Sequence, residues 1–83
     1  MNKEQLTKRV LSLTKPYVAK GTPEADILEK SFYDLGIDSL AVLELTIDIE
    51  DHLNIEIYDS DLEKVKRLED LVDIASKEVQ SVS

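Results

Sequence analysis

The sequence predicts an all-α fold: a four-helix bundle of three long helices, one short third helix and a long first loop. Three observations carry that prediction. Apolar residues recur at helical spacing in three separate segments. The helix breakers Pro16, Gly21, Pro23, Gly36 and Asn54 fall at the ends of those segments or between them. No two runs alternate in the way that paired strands do.

The first helix rests on Leu6, Val10, Leu13 and Tyr17, which share one face. Pro16 should end it near Lys15. From Val18 to Asp38 the spacing gives a long loop. It contains Ile27, Leu28, Phe32, Tyr33, Leu35 and Ile37, too apolar a set for a free linker, so the loop should fold down on the core. The second long helix should open at Asp38 or Ser39, with Asp38 as N-cap, because its carboxylate can accept from exposed backbone N–H groups. Val42, Leu45, Ile49 and Leu53 form its core stripe, and Asn54 stops it. A connector with Ile55 and Ile57 follows, and the run Ile55 to Tyr58 has no partner of strand character. Ser60 and Glu63 have the spacing of a capping box for a short third helix holding Leu62 and Val65. Leu68, Leu71, Val72, Ala75 and Val79 form the face of the last helix.

Composition bounds the function. Eighty-three residues fit one domain, 1–83. With no cysteine, disulfides and thiolate zinc sites are excluded, and one histidine leaves almost nothing for a metal cluster. No apolar run reaches membrane-spanning length and no signal-peptide pattern is present, so a cytoplasmic protein without membrane insertion is expected. Eighteen acids against ten bases give a net charge of -8, which disfavours nucleic acid. Ten of the acids lie between Ser31 and Glu63, a stretch without Lys or Arg. That stretch is either a solvated surface or a docking face for basic partners, and composition leaves both open.

The helix beginning at Ser39 carries a second pattern. Opposite its core stripe fall Leu40, Glu44, Ile47 and Asp51. Two apolar residues among carboxylates have the make-up of a contact surface with an apolar centre and a charged rim, to which Asp48 adds. Leu43 lies at the flank and can serve the core. Nothing in the chain forms a self-contained active site. His52 follows Ser39 by 13 residues, about 20 Å along one continuous helix, so the two cannot make a dyad. His52 is therefore read as a surface or helix-end residue. Glu44 and Asp48 lack an apolar pocket to raise a carboxyl pKa. No acidic spacing matches an EF-hand loop. No catalytic residue and no metal ligand is expected.

What remains is Leu35-Gly36-Ile37-Asp38-Ser39-Leu40. Gly36 permits a tight approach to the helix, Asp38 caps it, and the Ser39 hydroxyl can point outward. A helix N-terminus suits an attached phosphate. Taken alone, the hexapeptide is equally a plain Asp-Ser helix start. It resembles, however, the Leu-Gly-x-Asp-Ser-Leu attachment site of acyl carrier proteins. The resemblance extends to Phe32-Tyr33-Asp34-Leu35-Gly36, to Leu43-Glu44-Leu45, to Ile49-Glu50-Asp51 followed by Leu53, and to Ile55-Glu56-Ile57.

The resemblance implies a function. Ser39, flanked by Asp38 and Leu40, would receive 4′-phosphopantetheine from coenzyme A through a separate phosphopantetheinyl transferase. The arm's thiol would carry acyl groups as thioesters, which accords with a chain lacking cysteine. Partners would be that transferase and acyl-activating, acyl-transfer and synthase enzymes with basic docking patches. They would meet a monomer at Leu40, Glu44, Ile47, Asp48 and Asp51. The core around Val42, Leu43, Ile57, Leu62 and Val65 could part to take cargo. Tyr58 stands where the family often has proline, and Lys66-Arg67 where small hydroxyl residues are common. Both weigh toward a pathway-specific relative over the housekeeping fatty-acid carrier. The alternatives are an aminoacyl or peptidyl carrier, whose relatives usually show Gly-Gly where this chain has Gly36-Ile37, and an acidic helical adaptor whose Ser39 is never modified.

Overall fold

A computed structural model describes residues 1–82, with side chains through Gln80. Its order is α1 (Lys3–Thr14), a 3-10 turn (Lys15–Tyr17), α2 (Glu24–Glu29), α3 (Ser39–Leu53), α4 (Asp59–Leu62) and α5 (Leu68–Val82). Among the described residues there is no strand, only an isolated antiparallel bridge between Ser31 and Arg67. The all-α bundle of three long helices is therefore observed, with one addition: the first loop contains α2.

The core is built mainly from α1, α3 and α5. Leu6 and Val10 of α1, Leu45 and Ile49 of α3, and Leu68, Leu71, Val72 and Ala75 of α5 are buried. Ile27, Phe32 and Ile37 join them from the first loop, which does fold down on the core. On α1 the buried face is centred on Leu6, Val10, Leu11 and Thr14, while Leu13 and Tyr17 are only half-buried. Thr14 is tolerated inside because its Oγ1 donates to the Val10 carbonyl at 2.7 Å. α1 also starts on a capping box not anticipated above: Gln5 N–H donates to Asn2 Oδ1 at 2.8 Å, and Asn2 N–H to Gln5 Oε1 at 3.2 Å.

The ends of α4 and α5 differ from expectation. No Ser60–Glu63 capping box forms. α4 begins at Asp59 after Tyr58, has no side-chain cap, and ends before Val65. One turn buries too little to impose the longer helix. Lys66 and Arg67 supply no cap side chain to α5, so Asp70 reaches back instead. Its Oδ2 accepts from the Lys66 and Arg67 N–H groups at 3.0 and 3.1 Å. The Arg67 guanidinium lies 3.8 Å from carboxylate oxygens of both Glu69 and Asp70. Acidic side chains in the first turn thus satisfy the helix start and offset the basic pair there.

Two tethers position the segment that follows α3. Asn54 adopts the left-handed conformation, φ 54°, and the Ile55 N–H closes onto the Glu50 carbonyl at 3.1 Å. Glu50 Oε2 then accepts from the Ile57 N–H at 2.8 Å. Further on, the Phe32 N–H donates to the Lys66 carbonyl at 3.0 Å, pinning the first loop to the α4–α5 junction.

Candidate functional site

The turn that delivers Ser39 begins at Ser31, whose Oγ accepts from the Asp34 N–H at 3.1 Å. It closes by two bonds: Ile37 N–H to the Phe32 carbonyl at 2.9 Å and Gly36 N–H to the Tyr33 carbonyl at 3.1 Å. Gly36 has φ 76°, the left-handed value that this paired closure requires. Phe32 and Ile37, at its two ends, are both buried. An apolar clamp therefore holds the chain where it turns outward.

Asp38 is next, in an extended conformation, and its Oδ1 accepts from the Ala41 N–H at 2.8 Å. This is the N-cap that the sequence indicates. The Ser39 and Leu40 amides lie in the first turn, where no intrahelical acceptor exists. Ser39 is exposed, and among the described residues its hydroxyl makes no hydrogen bond. No imidazole approaches it. His52 is at the far end of α3, exposed, with Nδ1 2.9 Å from the Asp48 carbonyl. Among the described residues no cluster of His, Asp and Glu could hold a metal. Among the described residues the Ser39 hydroxyl thus has no hydrogen-bonded base beside it.

Around Ser39 the structure distributes the other predicted residues unevenly. Leu40 is 64% exposed and Ile47 47%, with Glu44 and Asp51 also exposed. Asp48 is not a free rim carboxylate. It is half-buried and accepts from the Tyr17 hydroxyl at 2.9 Å, tying the 3-10 turn to α3. That bond to a carboxylate, helped by burial, raises the Tyr17 phenol above its ordinary pKa. Leu43, 45% exposed, leaves the core and instead lines a groove.

The groove is open and holds about 1010 Å³. Phe32, Ile37, Val42, Leu43, Leu62 and Val65 give it an apolar wall, and Ser39 lies on its margin. Val42, Leu43, Leu62 and Val65, expected in a core that could part for cargo, line this already open groove instead, whereas Ile57 is buried and outside it. Tyr33, grouped by the sequence with the loop residues that should fold onto the core, instead lines the same groove and is 90% exposed. Its signal was available: an aromatic residue one step from buried Phe32 in a tight turn must face away from the core.

Comparison with known proteins bears on this site. Residues 19–75 match the family described as "Phosphopantetheine attachment site". The chain is 41% identical over 73 residues to an acyl carrier protein of an Exiguobacterium species, covering 87% of this chain and 91% of that protein. To an acyl carrier protein of Syntrophobacter fumaroxidans it is 39% identical over 56 residues, covering 68% of this chain and 64% of that protein, slightly less than two thirds of its length. In three dimensions the crystal structure of an acyl carrier protein from Thermotoga maritima superposes with a TM-score of 0.81 at 25% identity, covering 100% of this chain and 96% of that one. The solution structure of the acetyl actinorhodin acyl carrier protein from Streptomyces coelicolor shares the fold, with a TM-score of 0.74 at 23% identity, covering 100% of this chain and 95% of that one.

Proposed function

The chain belongs to the acyl carrier protein family, and from that premise we propose that Ser39 bears its prosthetic arm and that the protein presents acyl groups to biosynthetic enzymes. The family membership implies a covalently attached 4′-phosphopantetheine. When bound, that group supplies a thiol on a long flexible arm, to which acyl cargo is joined as a thioester.

The observation that carries the proposal is the setting of Ser39. It is an exposed hydroxyl without a hydrogen-bond partner among the described residues, in the first turn of a 15-residue helix, on the margin of an apolar groove. The residues fit the group. The free Ser39 and Leu40 amides and the positive end of the α3 dipole favour a phosphodiester there. Asp38 keeps its carboxylate engaged with the Ala41 amide, which holds the turn in place. Phe32, Ile37, Val42, Leu43, Leu62 and Val65 offer an apolar chain shelter from water, worth about 0.8 kcal/mol per CH₂. An acyl cargo suits that wall better than an aminoacyl one.

The protein contributes no catalytic group in this reading. A transferase would make the phosphoester at the Ser39 oxygen by breaking the pyrophosphate bond of coenzyme A, with adenosine 3′,5′-bisphosphate leaving and the hydroxyl proton passing to the transferase. Acyl-activating, acyl-transfer and synthase enzymes then dock in the cytoplasm on Leu40, Ile47, Glu44 and Asp51. Intact-mass analysis tests the attachment. Incubation with coenzyme A and a broad-specificity phosphopantetheinyl transferase should add one phosphopantetheine, and Ser39→Ala should take none. A labelled Ser39→Ala variant, or an unlabelled wild type beside a labelled control carrier, would leave the acidic adaptor reading instead.

A further inference from the structure

One charge in the groove stands out. Its lining contains Asp38, Asp59 and Glu63, but among its lining residues only Lys66 is cationic. Among the described residues no carboxylate forms an ion pair with Lys66. This is so in a chain with 18 acids and 10 bases. Asp70, four residues on, accepts from the Lys66 backbone N–H and lies 3.8 Å from the Arg67 guanidinium.

The root of this lysine is fixed on both sides. Its N–H donates to Asp70 Oδ2 at 3.0 Å, and its carbonyl accepts from the Phe32 N–H at 3.0 Å. The same pin brings in Ser31, which lines the groove and forms the antiparallel bridge with Arg67. Ser31 Oγ accepts from the Asp34 N–H, so its own proton remains free to donate. A cation and a hydroxyl donor, joined through this backbone pin, thus both line a groove whose other charged lining residues are acidic. An anion carried into the groove would meet both.

We propose that Lys66, with the Ser31 hydroxyl, selects cargo whose far end is a carboxylate, an acyl group of the dicarboxylic half-thioester class. The proposal rests on the carrier reading given above. An apolar chain alone needs neither donor. A carboxylate drawn into an apolar groove without a partner loses hydration for no return, and Asp38, Asp59 and Glu63 would repel it. Lys66 removes that penalty while its methylene stem continues the apolar wall.

Thermal melting of the full-length protein, loaded with hexanoyl- or adipoyl-phosphopantetheine from the matching coenzyme A thioesters, tests this. The two cargoes have equal chain length and differ in the terminal carboxylate. In the wild type the adipoyl form should melt at least as high as the hexanoyl form. In Lys66→Gln the adipoyl form should fall below the hexanoyl form by roughly 3–6 °C, and in Lys66→Glu by more. Lys66→Arg should retain the wild-type order, which separates charge from folding damage. Added salt should shrink the wild-type advantage. An adipoyl form that melts below the hexanoyl form in wild type overturns the proposal, and so does an order unchanged in Lys66→Gln. If Lys66→Gln lowers the cargo-free arm-bearing form by the same amount, the anion is the arm's phosphate and the proposal fails. Failure to load Ser39 at all sinks the carrier reading itself, and this inference with it.

Discussion

At the scale of the residue, the site depends on two conformations, each set by chemistry that a single substitution can remove. Asp38 is the N-cap of α3, and its one side-chain bond, to the Ala41 N–H at 2.8 Å, is exposed. Asp38→Ala should therefore destabilise the protein by about 1 kcal/mol, and Asp38→Asn by only a few tenths, as read by urea unfolding. Equal losses would mean that the negative charge, not the cap bond, is what matters. Gly36 is different. A Cβ built there meets nothing within 4 Å, so the requirement for glycine lies wholly in φ 76°. Both residues belong to the hexapeptide that made the site legible in the sequence, because their roles are local. Asp48 was misjudged as a free carboxylate because its partner, Tyr17, is 31 residues away. Helical projection finds a face but not the side chain that covers it.

At the scale of the element, α3 combines a buried stripe with an exposed one that has apolar and acidic members. The two kinds should fail differently in docking. Ile47→Ala should weaken recognition by the phosphopantetheinyl transferase in a nearly salt-independent way, mostly through faster dissociation. Glu44→Lys should slow association, with a defect that shrinks toward about 0.5 M salt as screening takes over. The readout is the rate of Ser39 modification at several ionic strengths, with folding checked by circular dichroism. Rates unchanged in both variants would remove α3 from the recognition face. The long helices were legible because each repeats its apolar face over three or four turns. α2 was not, since six residues with Ile27 buried give only one turn of pattern. Pro23, read as a breaker, instead serves as its N-cap with φ −59°, and its carbonyl accepts from the Ile27 N–H at 3.1 Å. The apparent Ser60–Glu63 box shows the converse error, a local motif without enough burial behind it. The groove was half visible. Its helical residues could be projected, but Phe32, Tyr33 and Ile37 come from a turn whose course only the tertiary fold determines.

At the scale of the whole molecule, two exposed or half-exposed polar links join distant parts, and both respond to alkali in the same direction. Tyr17 donates to Asp48, and Lys3 Nζ lies 2.8 Å from Asp73 Oδ1, joining α1 to α5. Hydrogen bonding to these carboxylates raises Tyr17 above 10.0 and Lys3 above 10.5, their ordinary values. A group whose pKa is raised by folding stabilises the fold below its unfolded value and ceases to do so above the folded one. The melting temperature should thus hold steady from pH 8 to about 10 and fall beyond it. Tyr17→Phe should flatten part of that fall, and an identical fall in Tyr17→Phe would show that Tyr17 contributes nothing to it. The tethers on either side of α4 have a consequence of another kind. Glu50 fixes the chain at Ile57 and Phe32 fixes it at Lys66, while none of residues 58–65 between them is fully buried. Opening that stretch exposes little apolar surface, so its local unfolding free energy lies far below that of the molecule as a whole. Amides there should exchange with solvent deuterium well before those at the centre of α3. That stretch can therefore open and close again without the rest of the molecule approaching denaturation.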